Sequence, residues 1–258
     1  MKIMGLLVFL INFQFFKKRY NSSDICAGVH SCLLHPHAWV RLLSSQLIGL
    51  FLSRLLENPK LTWLNDMDTL KSIILDSFEQ LNLTDCVTED TSLQVVKNLV
   101  ALTKLIISRT DEKLTLKYVM KKAVKISNNE LISAPKNTVR RTLIFNYIAA
   151  VCLQCSPSQV EDLLRVILPP LQREISSSSS NPELKSHTHE VLELVKTKVD
   201  DEVYTRTLLE VQMDITKKRG ERSAARKQTL ILHPKVAAKR KIQQNQAKKN
   251  AKKARRMN

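Results

Sequence analysis

The sequence predicts an all-α fold in which helices stack as antiparallel pairs in a solenoid, and three observations carry that prediction. Apolar residues recur every three or four positions from Trp39 to Ile215, the period of a helix with one buried face. No stretch alternates apolar and polar residues between hairpin turns, as strands would. The pattern Val40-Arg41-x-x-Ser44-x-x-x-Ile48-Gly49 also has a partial echo 99 residues on, in Val139-Arg140-x-x-Leu143-x-x-x-Tyr147-Ile148. Internal echoes favour stacked repeats over a closed bundle.

The elements follow in order. From Trp39 the apolar positions 40, 43, 47, 50, 51 and 55 keep helical spacing, and Leu64, Met67, Leu70, Ile74, Phe78 and Leu81 form the next stripe. Leu93, Val96, Leu99, Val100, Thr103 and Ile107 make a third, and Leu116, Val119, Met120 and Ala123 a fourth. Residues Val139 to Leu153 are apolar almost all round, which marks a helix buried on several sides. Val160, Leu163, Leu164, Ile167 and Leu168 come next, and Pro169-Pro170 should kink or end that helix, since proline lacks an amide donor. Leu184, Thr188, Val191, Val195 and Val199 line another stripe, and Tyr204, Leu208, Val211 and Ile215 the last. Asp200, Asp201 and Glu202 at its start and Lys217, Lys218 and Arg219 at its end suit the helix dipole. Gly220 reads as its stop. About eight helices of fifteen to twenty residues result.

Composition narrows the function. Four glycines, at 5, 28, 49 and 220, supply neither a dinucleotide loop nor a P-loop. Five scattered cysteines, with Cys152 and Cys155 inside an apolar run, read as reduced core thiols of an intracellular protein. The net charge of +17 is concentrated: residues 216–258 hold sixteen Lys/Arg against Glu221 alone, for +15, and residues 1–215 carry only +2. This predicts three parts: an apolar leader over 1–25, helical repeats over 26–215 and a basic tail over 216–258. The leader's run from Ile3 to Phe16 is short for a membrane span, which needs about 20 residues. The basic cluster after it and the lack of an Ala-x-Ala site argue against cleavage as a signal peptide.

Most candidate sites dissolve on their spacing. Cys26, His30, Cys32, His35 and His37 are rich in ligand atoms but have no close cysteine pair and no distal partner pair, so no metal is expected. Cys152 and Cys155 have redox spacing without a preceding strand, and read as buried thiols. "HEVLE" from His189 lacks the second histidine of a zinc protease, Glu193 standing there instead. No nucleophilic set can be assembled, so neither an enzyme nor a cofactor is expected. The run Ser176–Ser180 reads as an interhelical loop.

The tail is the strongest chemical signal. Lys217, Lys218, Arg219, Arg222, Arg226 and Lys227 lead into Lys235, Lys239, Arg240 and Lys241. Lys248, Lys249, Lys252, Lys253, Arg255 and Arg256 follow. Isolated in water, such a segment should be mostly disordered, because like charges repel and little can be buried. Opposite phosphates the repulsion becomes attraction with counterion release. No aromatic residue lies between 216 and 258, which favours contact with the shape and phosphates of structured RNA over base stacking. The same clusters could serve nuclear import. A second reading, from another class, is a membrane-associated helical adaptor anchored by residues 3–16 with the tail on anionic lipid.

The echoed motif resembles the second helix of a HEAT repeat, where Val-Arg, a small residue and Leu-Gly recur. That resemblance assigns Val40, Arg41, Ser44, Ile48, Gly49, Val139, Arg140, Leu143 and Tyr147 to repeat packing. The small residues admit a neighbouring helix, and the arginine stem lies along the stack with its head on a carboxylate or carbonyl. The acid usual five residues before the Val is His35 here and Ala134 in the echo, so an Asp–Arg ladder is not carried over.

The stretches "LLHPHAWVRLLSSQLIGL", "RRTLIFNYIAAV", "ILPPLQREI", "KTKVDDEVYTRTLLEVQ" and "HPKVAAKRKIQ" together resemble, over about residues 26–245, the carboxyl-terminal end of one family. This is the very large HEAT-repeat scaffold of the small-subunit processome, component 20, also described as down-regulated in metastasis. The resemblance implies a carboxyl-terminal piece of a nuclear, nucleolar and non-catalytic scaffold. Its role would be 18S pre-ribosomal RNA processing, and its partners pre-ribosomal RNA and other processome proteins.

Overall fold

Helix formers dominate each stripe, and four helix starts carry a local signal that fixes them. In a computed structural model, residues 22–57, 67–83, 89–108, 115–128, 134–177 and 180–235 are described, with scattered positions from 238 to 250. Nine helices stand among them: α1 (Ser22–Ser31), α2 (Ala38–Glu57), α3 (Met67–Gln80), α4 (Glu89–Ser108) and α5 (Leu116–Ser127), followed by α6 (Ala134–Gln154), α7 (Pro157–Ile175), α8 (Pro182–Thr197) and α9 (Asp201–Leu232). No strand occurs among the described residues.

The starts obey capping chemistry. Thr115 accepts a bond from the Tyr118 amide at the head of α5. Ser156 and Gln159 form a capping box on α7, with Pro157 in its first turn. Asn181 caps α8 through the Glu183 amide, and Asp200 takes the amides of Glu202 and Val203 at α9. Each cap satisfies a donor that the helix cannot, for about 1 kcal/mol.

Contacts arrange the body in two layers of paired helices. In one layer α2 packs on α4, α4 on α6 and α6 on α8; in the other α3 packs on α5 and α5 on α7. The pairs α1–α2, α3–α4, α5–α6 and α7–α8 close the layers together. Second helices begin at residues 38, 89, 134 and 182, a spacing of 51, 45 and 48 residues, near the ~40–47 of HEAT-type pairs. The fold is an α-solenoid, and the two echoed motifs fall on α2 and α6, two pairs apart in one layer. By its contacts the chain divides into residues 1–207 and 208–258. The first holds the paired body.

The core face differs from the stripe expected on two helices. On α2 the buried set is Arg41, Ser44, Ser45, Leu47, Ile48, Phe51, Leu52 and Leu55, whereas Leu43 and Leu50 are exposed. Leu93 is exposed on α4. Spacing alone selected them, but helices packed on two sides bury small and polar residues where backbones meet and leave leucines outside. The ends of α6 are also open: Val139 and Leu153 are exposed while Ile144, Phe145, Tyr147, Ile148, Val151 and Cys152 are buried.

Neither Pro169-Pro170 nor Gly220 ends its helix. α7 runs through Pro169-Pro170 to Ile175, because Leu168, Pro170 and Leu171 are buried on the core and packing outweighs the lost amide donors. α9 runs through Gly220 to Leu232. No described glycine has positive φ, so Gly220 sits as an ordinary helical residue, at about 1 kcal/mol below alanine.

α2 is long and apolar enough to cross a bilayer. Of its apolar side chains Leu47, Ile48, Phe51, Leu52 and Leu55 are buried inside the protein, and Trp39, Leu43 and Leu50 are exposed. The leader, residues 3–16, and Leu64 lie outside the described residues.

Candidate nucleic-acid interface

The body and the tail use basic residues in opposite ways. In the body, Arg41 is 2 % exposed, and its Nη1 donates to the carbonyls of His35 (2.6 Å) and Pro36 (2.8 Å). It thereby closes the turn that enters α2. Arg140, the echoed residue, is 3 % exposed and donates to Asn137 Oδ1 at 3.0 Å and Asn82 Oδ1 at 3.4 Å. Burial first, and then the neighbouring Arg141, lower its pKa.

Small residues do bring α2 and α4 together. A Cβ on Gly49 would lie 2.6 Å from Gln94 Nε2 and 2.8 Å from Asn98 Oδ1. Asn98 Nδ2 in turn donates to the Ser45 carbonyl at 2.7 Å. Ser44 is buried and donates to the Val40 carbonyl, and Ile48 is buried beside it. In the echo, Tyr147 is fully buried with its hydroxyl 2.7 Å from Thr103 Oγ1, Leu143 is half-buried, and Val139 faces outward at 42 % exposure. Val139 therefore departs from its expected packing role: a residue before the buried arginine occupies the outer side of α6.

Sequence spacing missed the polar ties between helices. Arg141 Nη1 meets Glu174 Oε2 at 3.0 Å with Glu174 4 % exposed, and Arg141 Nε donates to the Ser127 carbonyl, so one arginine joins α5, α6 and α7. Gln80 accepts from Ser45 Oγ at 3.0 Å and donates to the Leu33 carbonyl. A polar residue inside an apolar period was the available signal, most visibly at Glu174 two residues after Gln172.

The histidine–cysteine stretch also resolves into packing. His30 Nε2 lies 2.8 Å from Asp76 Oδ2, His35 and His37 face each other with ring centroids 5.4 Å apart, and Cys26 is buried. No three potential ligands gather among the described residues. Cys152 and Cys155 are buried free thiols; burial pushes Cys152 up to about 12, with Cys155 adding to it.

The second half of α9 looks outward. From Gln212 to Lys235 every residue is exposed except Ile215 and Thr229, which are half-buried. Lys218, Arg222 and Arg226 follow at four-residue intervals with Arg219 between them, so the four share one helical face about 12 Å long. Lys227 flanks it, and Lys217 and Glu221 fall on the other side. Lys235, Lys239, Lys241 and Lys249 stand in helical stretches beyond α9 and are exposed. Arg240, Lys248, Lys252, Lys253, Arg255 and Arg256 lie outside the described residues. Of the two states the sequence allows for this tail, disordered or helical, α9 shows the helical one for twelve residues past Gly220, an arrangement that presents cations in fixed register.

The chain matches the family model described as "Small subunit processome component 20 homolog, C-terminal" over residues 15–258. That range takes in the paired helices, the two Val-Arg motifs with their buried arginines and the basic tail. The chain belongs to this family, components of the small-subunit processome in ribosome biogenesis.

Proposed function

We propose that the chain is a non-catalytic scaffold in 18S pre-ribosomal RNA processing, its paired helices forming a platform for processome proteins and its basic tail holding pre-ribosomal RNA. The observation that supports the tail's role most directly is the exposed face of Lys218, Arg219, Arg222 and Arg226 on α9. Four cations on one helical face suit phosphates, which position a protein on RNA, and the absence of aromatics after residue 216 leaves bases unread. A nucleolar location follows from this reading.

The test is anisotropy of a labelled RNA hairpin with the full chain, titrated over salt. With about eight tail contacts, log K falls against log salt with a slope of roughly −6. Replacing Lys218, Arg219, Arg222 and Arg226 by Gln makes the slope shallower by about 3 and weakens binding by at least tenfold at moderate salt. Equal binding by both proteins overturns the tail's role. Tighter binding of anionic vesicles than of RNA, lost on deleting residues 1–20, restores the membrane-adaptor reading.

A further inference from the structure

The body carries a second basic surface that the tail does not account for. α5, "LKYVMKKAVKIS", has four lysines in twelve residues and no acid. Its core side is Val119, Met120, Ala123, Ile126 and Ser127, packed on α6 and α7. The lysines occupy the remaining arc. Lys117, Lys121 and Lys125 are exposed at four-residue intervals, which sets them about 6 Å apart along one ridge.

Tyr118 lies on the same ridge, half-buried. The ammonium of Lys122 stands 5.4 Å from its ring centroid and that of Lys71, from α3, 5.8 Å. Two cations on one ring concentrate charge where like-charge repulsion would ordinarily spread it. No described carboxylate lies within ion-pair distance of any of the five lysines. The nearest acidic wall is the α3 side of a cleft that Lys122 and Lys125 also line, formed by Asp76 and Glu79. Asp76 is engaged by His30 and Glu79 by Asn82. Lys117, Lys121 and Lys125 point to solvent, outside these carboxylate contacts, and exposed cations in this spacing attract an anionic partner.

We propose that the outer ridge of α5, with Lys117, Lys121, Lys122 and Lys125 around Tyr118 and Lys71 beside it, is a second RNA-binding surface that grips the phosphate backbone independently of the tail. Three exposed cations evenly spaced along one ridge suit a continuous phosphate backbone, whose counterions they release, and this favours RNA over an acidic protein. The inference rests on the reading of the chain as an RNA-contacting processome component.

The experiment uses the full chain and three variants: Lys117→Gln/Lys121→Gln/Lys125→Gln, the same three lysines changed to Arg, and the tail variant with Lys218, Arg219, Arg222 and Arg226 changed to Gln. Each is titrated with a labelled RNA hairpin over salt, and its melting temperature is recorded. The expected result is a Gln triple variant that melts like the parent, binds about tenfold more weakly and has a salt slope smaller by about 2. The Arg triple variant binds like the parent. Combined with the tail substitutions, the two losses add.

A Gln triple variant that binds like the parent, while the tail variant loses affinity, overturns the ridge and leaves the tail reading intact. The reverse pattern removes the tail's role and leaves the ridge. Loss in the Arg triple variant also overturns it, because charge is then not what binds. If the parent binds polyglutamate as tightly as RNA, with the same loss in the Gln variant, the ridge is a docking face for an acidic protein.

Discussion

Arg41 and Arg222 are the same residue under opposite physics. Arg41 is buried and donates to two turn carbonyls, so its head group works inside the fold. Arg222 stands exposed on α9 in line with Lys218 and Arg226, where its charge is open to phosphates. The difference teaches that basic residues in this chain are read by their neighbours: an arginine embedded in an apolar period is drawn into the solenoid, and one among Ala, Gln and Ser stays in solvent. Perturbations should separate the two regions cleanly, the body responding in stability and the tail in binding.

The largest stability effect is expected at Glu174. Replacing it by Ala leaves Arg141, whose side chain is 22 % exposed, without its carboxylate between three helices. Removing one partner of a buried pair costs about 3 kcal/mol or more, to be read from urea unfolding. A loss below 1 kcal/mol would mean that the Ser127 carbonyl alone holds Arg141. Gly49→Val comes next, at about 2 kcal/mol, since its methyls must displace the Gln94 and Asn98 amides. Gly49→Ala should be nearer neutral, because about 1 kcal/mol of gained helix propensity offsets the crowding.

Alkaline pH probes the buried thiols. Cys26 and Cys152, ordinarily near 9, are pushed up to about 11 and about 12 by burial. Above pH 9 the unfolded chain releases these protons and the folded one keeps them, so stability is full below pH 9 and declines as pH rises toward 11. Each thiol contributes roughly 1 kcal/mol per pH unit to that decline. Cys152→Ala should flatten the slope in urea midpoints measured from pH 8 to 11. The smallest effect belongs to the tail: Lys218, Arg219, Arg222 and Arg226 changed together to Gln should move stability by no more than about 0.5 kcal/mol, as measured by the same unfolding curve. A larger shift would mean that these side chains also serve the body.

Helix positions were legible because caps and periods are local. Ser156 with Gln159, Asn181 before Pro182 and Asp200 before α9 each announce a start within a few residues. What local pattern could not give was direction. Leu43 and Leu50 share the period of Leu47 and Ile48, and only the approach of α4 at Gly49 decides which side is core. Helix ends were not legible for the same reason: Pro169-Pro170, where a kink or an end was expected, and Gly220 weaken a helix by amounts that packing or long uninterrupted flanks exceed, so neither ends it. The tail's charge was plain in composition. The ridge on α5 became apparent only once Val119, Met120 and Ala123 were seen to face inward, leaving the lysines outside.

Tyr147 belongs to α6, yet its hydroxyl bonds Thr103 of α4 and the Phe78 ring of α3 meets it edge-on at 5.8 Å. One side chain thus spans the seam between the second and third helix pairs. In a solenoid whose neighbours merely touched, pairs would melt one at a time from an end. Here the seam is shared property, and α3, α4 and α6 should exchange their amide hydrogens as a single cooperative block whose edges ignore the repeat boundary.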